Sequence, residues 1–76
     1  MYYIYILFSG KDDRTYVGYT HDLERRLKCH HTGRVSATKN RRPLVLFYHE
    51  EFETMTGAKR RELWWKSSSG RRKLKG

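Results

Sequence analysis

Three charged or titratable side chains stand where short helical patterns would put core residues. Leu23, Arg26, Leu27 and His30 fall at i, i+3, i+4 and i+7 and share one helical face. In a chain of 76 residues the two leucines must face the core, so a guanidinium and an imidazole lie on or beside the buried side. An arginine there is costly unless something anionic meets it. Glu62 repeats the pattern among Met55, Ala58 and Trp65, and it is the only acid after Glu53, in a stretch rich in Lys and Arg. One carboxylate in a basic, half-buried setting is what a phosphodiester hydrolase needs to hold Mg²⁺, an ion that keeps several waters and takes one or two protein carboxylates. Each residue also has a plain structural reading: Arg26 passing the core rim, His30 hydrogen-bonded inside it, Glu62 in an ion pair. Taken singly, each admits both readings.

Tyrosine adds a fourth chemistry. Six occur in the chain, and Tyr3, Tyr5, Tyr16 and Tyr19 cluster near its start. The elements that position them are read from pattern. The run MYYIYILF is aromatic and β-branched without a breaker, which predicts a strand covered on both faces. Gly10-Lys11-Asp12-Asp13 supplies a turn, and Thr15–Tyr19 resumes strand character, which predicts an antiparallel hairpin. Strand parity puts Tyr3 and Tyr5 on one face, and Tyr16 with Gly18 on a face opposite Tyr19. Thr20 or Asp22 caps a first helix that Gly33 ends. Residues 33–43, GRVSATKNRRP, form a basic polar connection, and Leu44–Tyr48 a third strand. Thr54 or Thr56 then starts a second helix, and SSSGRRKLKG reads as a flexible basic tail over 69–76. The order β-β-α-β-α implies an α+β fold, a small three-stranded antiparallel sheet flanked by helices, in a single domain over 1–76.

Composition narrows the partner. A chain this short supports one small core. Cys29 is the only cysteine, which rules out an intrachain disulfide, and no Cys/His set has zinc-finger spacing. The longest apolar run, Ile4–Phe8, is too short to cross a bilayer, so the expectation is a soluble cytoplasmic protein with no membrane partner. Seventeen Lys and Arg against eight Asp and Glu give a net charge of +9. The excess is uneven: residues 1–24 hold two basic and four acidic side chains, and residues 25–76 hold fifteen and four. A field of this size attracts polyanions, chiefly nucleic acid. Arg34, Lys39, Arg41 and Arg42 in the connection, with Arg71, Arg72, Lys73 and Lys75 in the tail, are the expected nucleic-acid contacts.

Together the motifs resemble the GIY-YIG nuclease family over nearly the whole chain. Tyr3-Ile4-Tyr5 and Tyr16-Val17-Gly18 look like its two signature strands, with eleven residues from Tyr5 to Tyr16. Arg26 follows ten residues after Tyr16, His30 four later, and Glu62 comes after the third strand. HHTGRVSATKNRRPLVLFYHEEF is similar to the connection and third strand of small stand-alone bacterial-type members related to the nuclease half of structure-specific endonucleases. The resemblance implies a Mg²⁺-dependent DNA endonuclease, with Mn²⁺ able to substitute, serving repair or recombination and acting on DNA structure. It implies Tyr16 as general base or proton relay and Arg26 as the phosphate clamp. Glu62 would be the metal ligand, with Tyr5 and His30 orienting phosphate and water. A free phenol has a pKa of ~10, so Tyr16 would need a neighbouring cation or metal-bound water. Tyr3 replaces the signature's first glycine, and no amide residue follows the second helix. A catalytically silent nucleic-acid-binding module of the same fold is the alternative. A basic scaffold protein would explain the charge but not Tyr16, Arg26 and Glu62.

Overall fold

The structure is a computed structural model that describes residues 1–75. Strands β1 (Tyr2–Ser9), β2 (Thr15–Thr20) and β3 (Leu44–Phe52) form one antiparallel sheet in the order β2-β1-β3. β1 is therefore central, which explains its unbroken apolar sequence. Ile4 and Ile6 point to one face and cluster with Val17, Ala58 and Trp65. Tyr5 and Leu7 point to the other and cluster with Leu44. The predicted hairpin closes through Asp13, which adopts φ 56°, while the Asp12 carboxylate accepts from the Arg14 N–H at 3.0 Å.

Helix α1 (Leu23–His31) starts where Asp22 accepts from the Arg25 N–H at 3.1 Å, and Leu23 and Leu27 pack on the Tyr5–Leu7 face. Helix α2 (Met55–Lys66) starts at Thr54, whose hydroxyl accepts from the Gly57 N–H at 3.1 Å. It covers the opposite face through Ala58 and Trp65. The sheet is thus sandwiched between α1 and α2. Among the described residues, no helix is long and apolar enough to cross a membrane.

Three expectations are corrected. The third strand does not stop at Tyr48 but continues to Phe52. Its Glu50 carboxylate accepts from Arg61 Nε at 2.8 Å and Trp65 Nε1 at 3.3 Å, which ties this edge strand to α2. The stretch after Ser67 is not a flexible tail: Ser68–Lys75 form helix α3. Gly70 lies against the backbone of Trp64 and Trp65, where a Cβ would not fit, and Leu74 packs beside the Ile4–Trp65 cluster. The polar connection is also more ordered than its composition suggests. It contains a 3-10 turn at Lys39–Arg41, and Thr38 is completely buried. Ser9 Oγ donates to the Arg41 carbonyl at 2.6 Å, and Arg41 Nε pairs with Asp12 at 3.0 Å, so the connection is latched to the hairpin turn.

Candidate active site

Cross-strand register brings the hairpin's tyrosines together. Tyr5 pairs with Gly18 and Leu7 with Tyr16, so Tyr5, Gly18 and Tyr16 share the face that α1 covers. The Tyr5 and Tyr16 ring centroids are 6.4 Å apart, and His30 from α1 lies 5.4 Å from one and 5.2 Å from the other. The Tyr5 hydroxyl is 2.8 Å from His30 Nε2 and receives Arg26 Nε at 3.3 Å. A phenol oxygen accepting from Arg26 still has its proton to donate, and with His30 Nε2 as acceptor the network is satisfied at both ends. His30 is then neutral with its proton on Nδ1, donating to Thr38 Oγ1 at 2.7 Å. With Nε engaged by Tyr5, the terminal nitrogens of the partly exposed Arg26 are the donors left for an anion.

The structure brings four of the expected residues together: Tyr5, Tyr16, Arg26 and His30 meet on one face. Their environment shifts their protonation. Burial raises the Tyr5 pKa, the Tyr16 and Glu62 charges add to this, and the Arg26 hydrogen bond opposes it, so Tyr5 remains a phenol. The hydrogen bond to Tyr5 raises the Arg26 pKa. Burial, then the Arg26 and His31 charges, lower His30 to about 4.

Glu62 approaches from the other layer. It is carried by α2, its side chain is 13% exposed, and its charge is felt at the Tyr5 hydroxyl. Lys66 Nζ lies 3.4 Å from its carboxylate, so the plain ion-pair reading of Glu62 is also present in the structure. Among the described residues, no three His, Cys, Asp or Glu side chains gather as a metal-binding group. A metal here would thus have to be held by few protein ligands, which suits the hard oxygen donors and retained waters of Mg²⁺.

The basic residues divide. Arg34 and Lys39 are exposed, Arg41 is paired with Asp12, and Arg42 donates to the Lys39 and His31 carbonyls at 3.1 and 3.4 Å. Arg71, Arg72 and Lys73 are exposed on α3, whose Leu74 packs with the Ile4–Trp65 cluster. They are not brought together with Tyr5, Arg26 and His30, which belong to the opposite face.

Two contributors escaped sequence reasoning. Thr38 orients His30, yet within SATKN it looks like one more loop residue. Removing its hydroxyl leaves His30 Nδ1 buried without a partner, which costs about 1–3 kcal/mol. Thr38→Val should lower stability by that amount in urea unfolding, and an unchanged midpoint would mean the bond is not maintained. Gly18 is the second. A Cβ there would lie 2.5 Å from the Tyr5 hydroxyl, so only glycine lets that hydroxyl sit under β2. Gly18→Ala should displace Tyr5 from His30, visible as a change in the His30 ring signals by NMR. Unmoved signals would show that the strand simply yields.

His30 also predicts a pH dependence. Its folded pKa of about 4 lies below the ordinary value of 6.5. Between these values the unfolded chain binds the proton and the folded chain does not, so unfolding gains as pH falls. Stability is complete above 6.5 and declines from there to about 4, by on the order of 3 kcal/mol at about 1.4 kcal/mol per unit. Urea unfolding of the chain and of His30→Gln at pH 7.5 and 4.5 checks this. The histidine-specific decline should vanish in the variant.

The family model described as the GIY-YIG catalytic domain matches residues 1–75. A UPF0213 protein of Staphylococcus haemolyticus is 43% identical over 75 residues, 97% of this chain and 90% of that one. The UPF0213 protein YazA of Bacillus subtilis is 36% identical over 72 residues, 93% of this chain and 73% of its own length. The solution NMR structure of a UPF0213 protein from Bacillus halodurans superposes with a TM-score of 0.59 at 36% identity, covering 97% of this chain and 82% of that one. With the signature strands, the helix-borne Arg26 and His30, and Glu62 arranged on this fold, the chain belongs to the GIY-YIG nuclease family, among its small UPF0213-type members.

Proposed function

We propose that the chain is a Mg²⁺-dependent DNA endonuclease whose site is formed by Tyr5, Tyr16, Arg26, His30 and Glu62. The observation that carries this reading is the Tyr5–His30–Arg26 bond network, which holds a partly exposed guanidinium whose terminal nitrogens are unclaimed among the described residues. Such a fork matches two oxygens of a phosphate and offsets the charge that grows on it during attack. Neutral His30 and phenolic Tyr5 fix Arg26 from behind. Tyr16 is the general base or proton relay for the attacking water, a task that a phenol shares with metal-bound water. Glu62 would hold Mg²⁺, with Mn²⁺ as a substitute, and the ion would supply charge neutralisation at the departing 3′ oxygen. Arg34, Lys39 and Arg42 contact the DNA backbone outside the site. Arg41, Arg71, Arg72 and Lys73 add to the field that attracts DNA. Selectivity for branched or flapped DNA, and a role in repair within the cytoplasm, follow from the resemblance to structure-specific endonucleases.

One observation favours the silent DNA-binding module instead: the Glu62–Lys66 pair at 3.4 Å occupies the carboxylate. That pair is an i, i+4 contact with Lys66 half exposed, and such pairs contribute at most about 1 kcal/mol, which a divalent ion outcompetes. Supercoiled plasmid incubated with the chain and MgCl₂ should become nicked circles. Plasmid that is bound but stays supercoiled would leave the silent module as the reading.

A further inference from the structure

α1 carries a second stripe on the side turned away from the core. Arg25, Lys28, Cys29 and the C-cap Thr32 also fall at i, i+3, i+4 and i+7, each two positions after a member of the inward stripe. Beyond the helix, Gly33 adopts φ +79°, a left-handed conformation that glycine takes without strain. Gly33 N–H bonds the His30 carbonyl at 3.2 Å and Arg34 N–H the Cys29 carbonyl at 2.9 Å, so the chain folds back and brings Arg34 against the helix. The result is a cavity of 310 Å³ lined by Arg25, Lys28, Cys29, Thr32 and Arg34.

Three cations line this cavity and no acid does. Among the described residues the ion pairs are Arg41–Asp12, Arg61–Glu50 and Lys66–Glu62, so none of the three is neutralised by a carboxylate. Even Glu24, one turn before Lys28, does not reach it. The ordinary explanation for cations on a helix is attraction to its C-terminal dipole, and that accounts for Lys28 in the last turn. It does not account for Arg25, which stands in the first turn, where the dipole disfavours a cation. Like charges gathered around one space repel unless an anion sits between them.

We propose that this cavity binds a backbone phosphate of the nucleic acid distinct from the one held by Arg26. α1 then meets the strand from two sides, with Arg26 on the reacting phosphate and Arg25, Lys28 and Arg34 on another. The identity of the strand rests on the nuclease reading. The phosphate site itself rests on the cavity and its charges. Contacts of this kind set register along the backbone without reading sequence.

The test is made on the full chain in EDTA, so that binding is read on uncut DNA. The slope of log affinity against log salt for a duplex should lose about 0.9 in magnitude when Arg25→Gln, Lys28→Gln and Arg34→Gln are combined, the value for one phosphate released. A comparison triple, Lys11→Gln, Lys59→Gln and Arg60→Gln, removes equal charge from exposed positions elsewhere and should change the slope less. In parallel, inorganic phosphate should shift the Lys28, Cys29 and Arg34 amide signals saturably in the unmodified chain and not in the cavity triple. An unchanged slope, or equal change in both triples, overturns the site. Failure of DNA hydrolysis leaves these readouts untouched, so the two ideas fail separately.

Discussion

Glu62→Gln is expected to abolish Mg²⁺-dependent cleavage while DNA affinity stays within a few-fold of the parent chain. The substitution keeps shape and hydrogen-bonding capacity but removes the formal charge that holds the ion. Glu62 is a partly buried carboxylate on α2 whose charge adds to the raised Tyr5 pKa, and the described residues offer no three-ligand alternative. Loss of metal-based charge stabilisation is worth several kcal/mol, and ~4 kcal/mol corresponds to on the order of 10³-fold in rate. The structural cost should be small, because among the described residues the ion pair lost is the half-exposed Lys66 contact. Single-turnover cleavage beside a binding titration separates the two effects. A variant that cuts at the parent rate would remove Glu62 from the site. A variant that no longer binds would make Glu62 a folding residue.

Arg26→Ala should be nearly as severe, and Arg25→Ala should not. The two are neighbours in sequence and point from α1 in directions about 100° apart. Arg26 is partly buried and bonds the Tyr5 hydroxyl at 3.3 Å, whereas Arg25 is exposed. A cation lost from a phosphoryl group in a preorganised site lowers the rate by ~10²–10³-fold, most of it in kcat. Arg25→Ala should instead act on affinity. Arg26→Lys provides the finer comparison, since it retains charge but loses both the fork and the Nε donor to Tyr5. It should recover only a small part of the rate. Comparable kcat losses at positions 25 and 26 would overturn the orientation of α1.

How far these residues could be read in advance depends on how local their signals are. The strand parity of Tyr5, Tyr16 and Gly18, the Asp22 and Thr54 caps, and the Leu23–His30 stripe are each set by a few neighbouring residues, and all appear in the structure. The α+β order was legible for the same reason. What was not legible comes from contacts between distant segments. Thr38 is buried only because the 33–43 connection folds back over α1, and a hydroxyl in a polar stretch gives no hint of that. α3 exists because Gly70 meets the Trp64–Trp65 backbone and Leu74 meets the core, and Ser-Gly composition obscured both. The position of Glu62 is intermediate: its helical face was readable, but its pairing with Lys66 on the layer opposite α1 was not. Arg41 is a further case: its charge was legible, but its pairing with Asp12 across the hairpin turn was not.

The most direct test of the account follows one DNA duplex bound by the full chain as metal is varied. Cleavage should be absent in EDTA although the DNA remains bound, should rise to a plateau as MgCl₂ is added, and should be restored by MnCl₂. DNA that stays bound and intact at every Mg²⁺ and Mn²⁺ concentration would contradict the assignment of Tyr16, Arg26 and Glu62 to catalysis, and equal cleavage in EDTA would contradict the role of the metal.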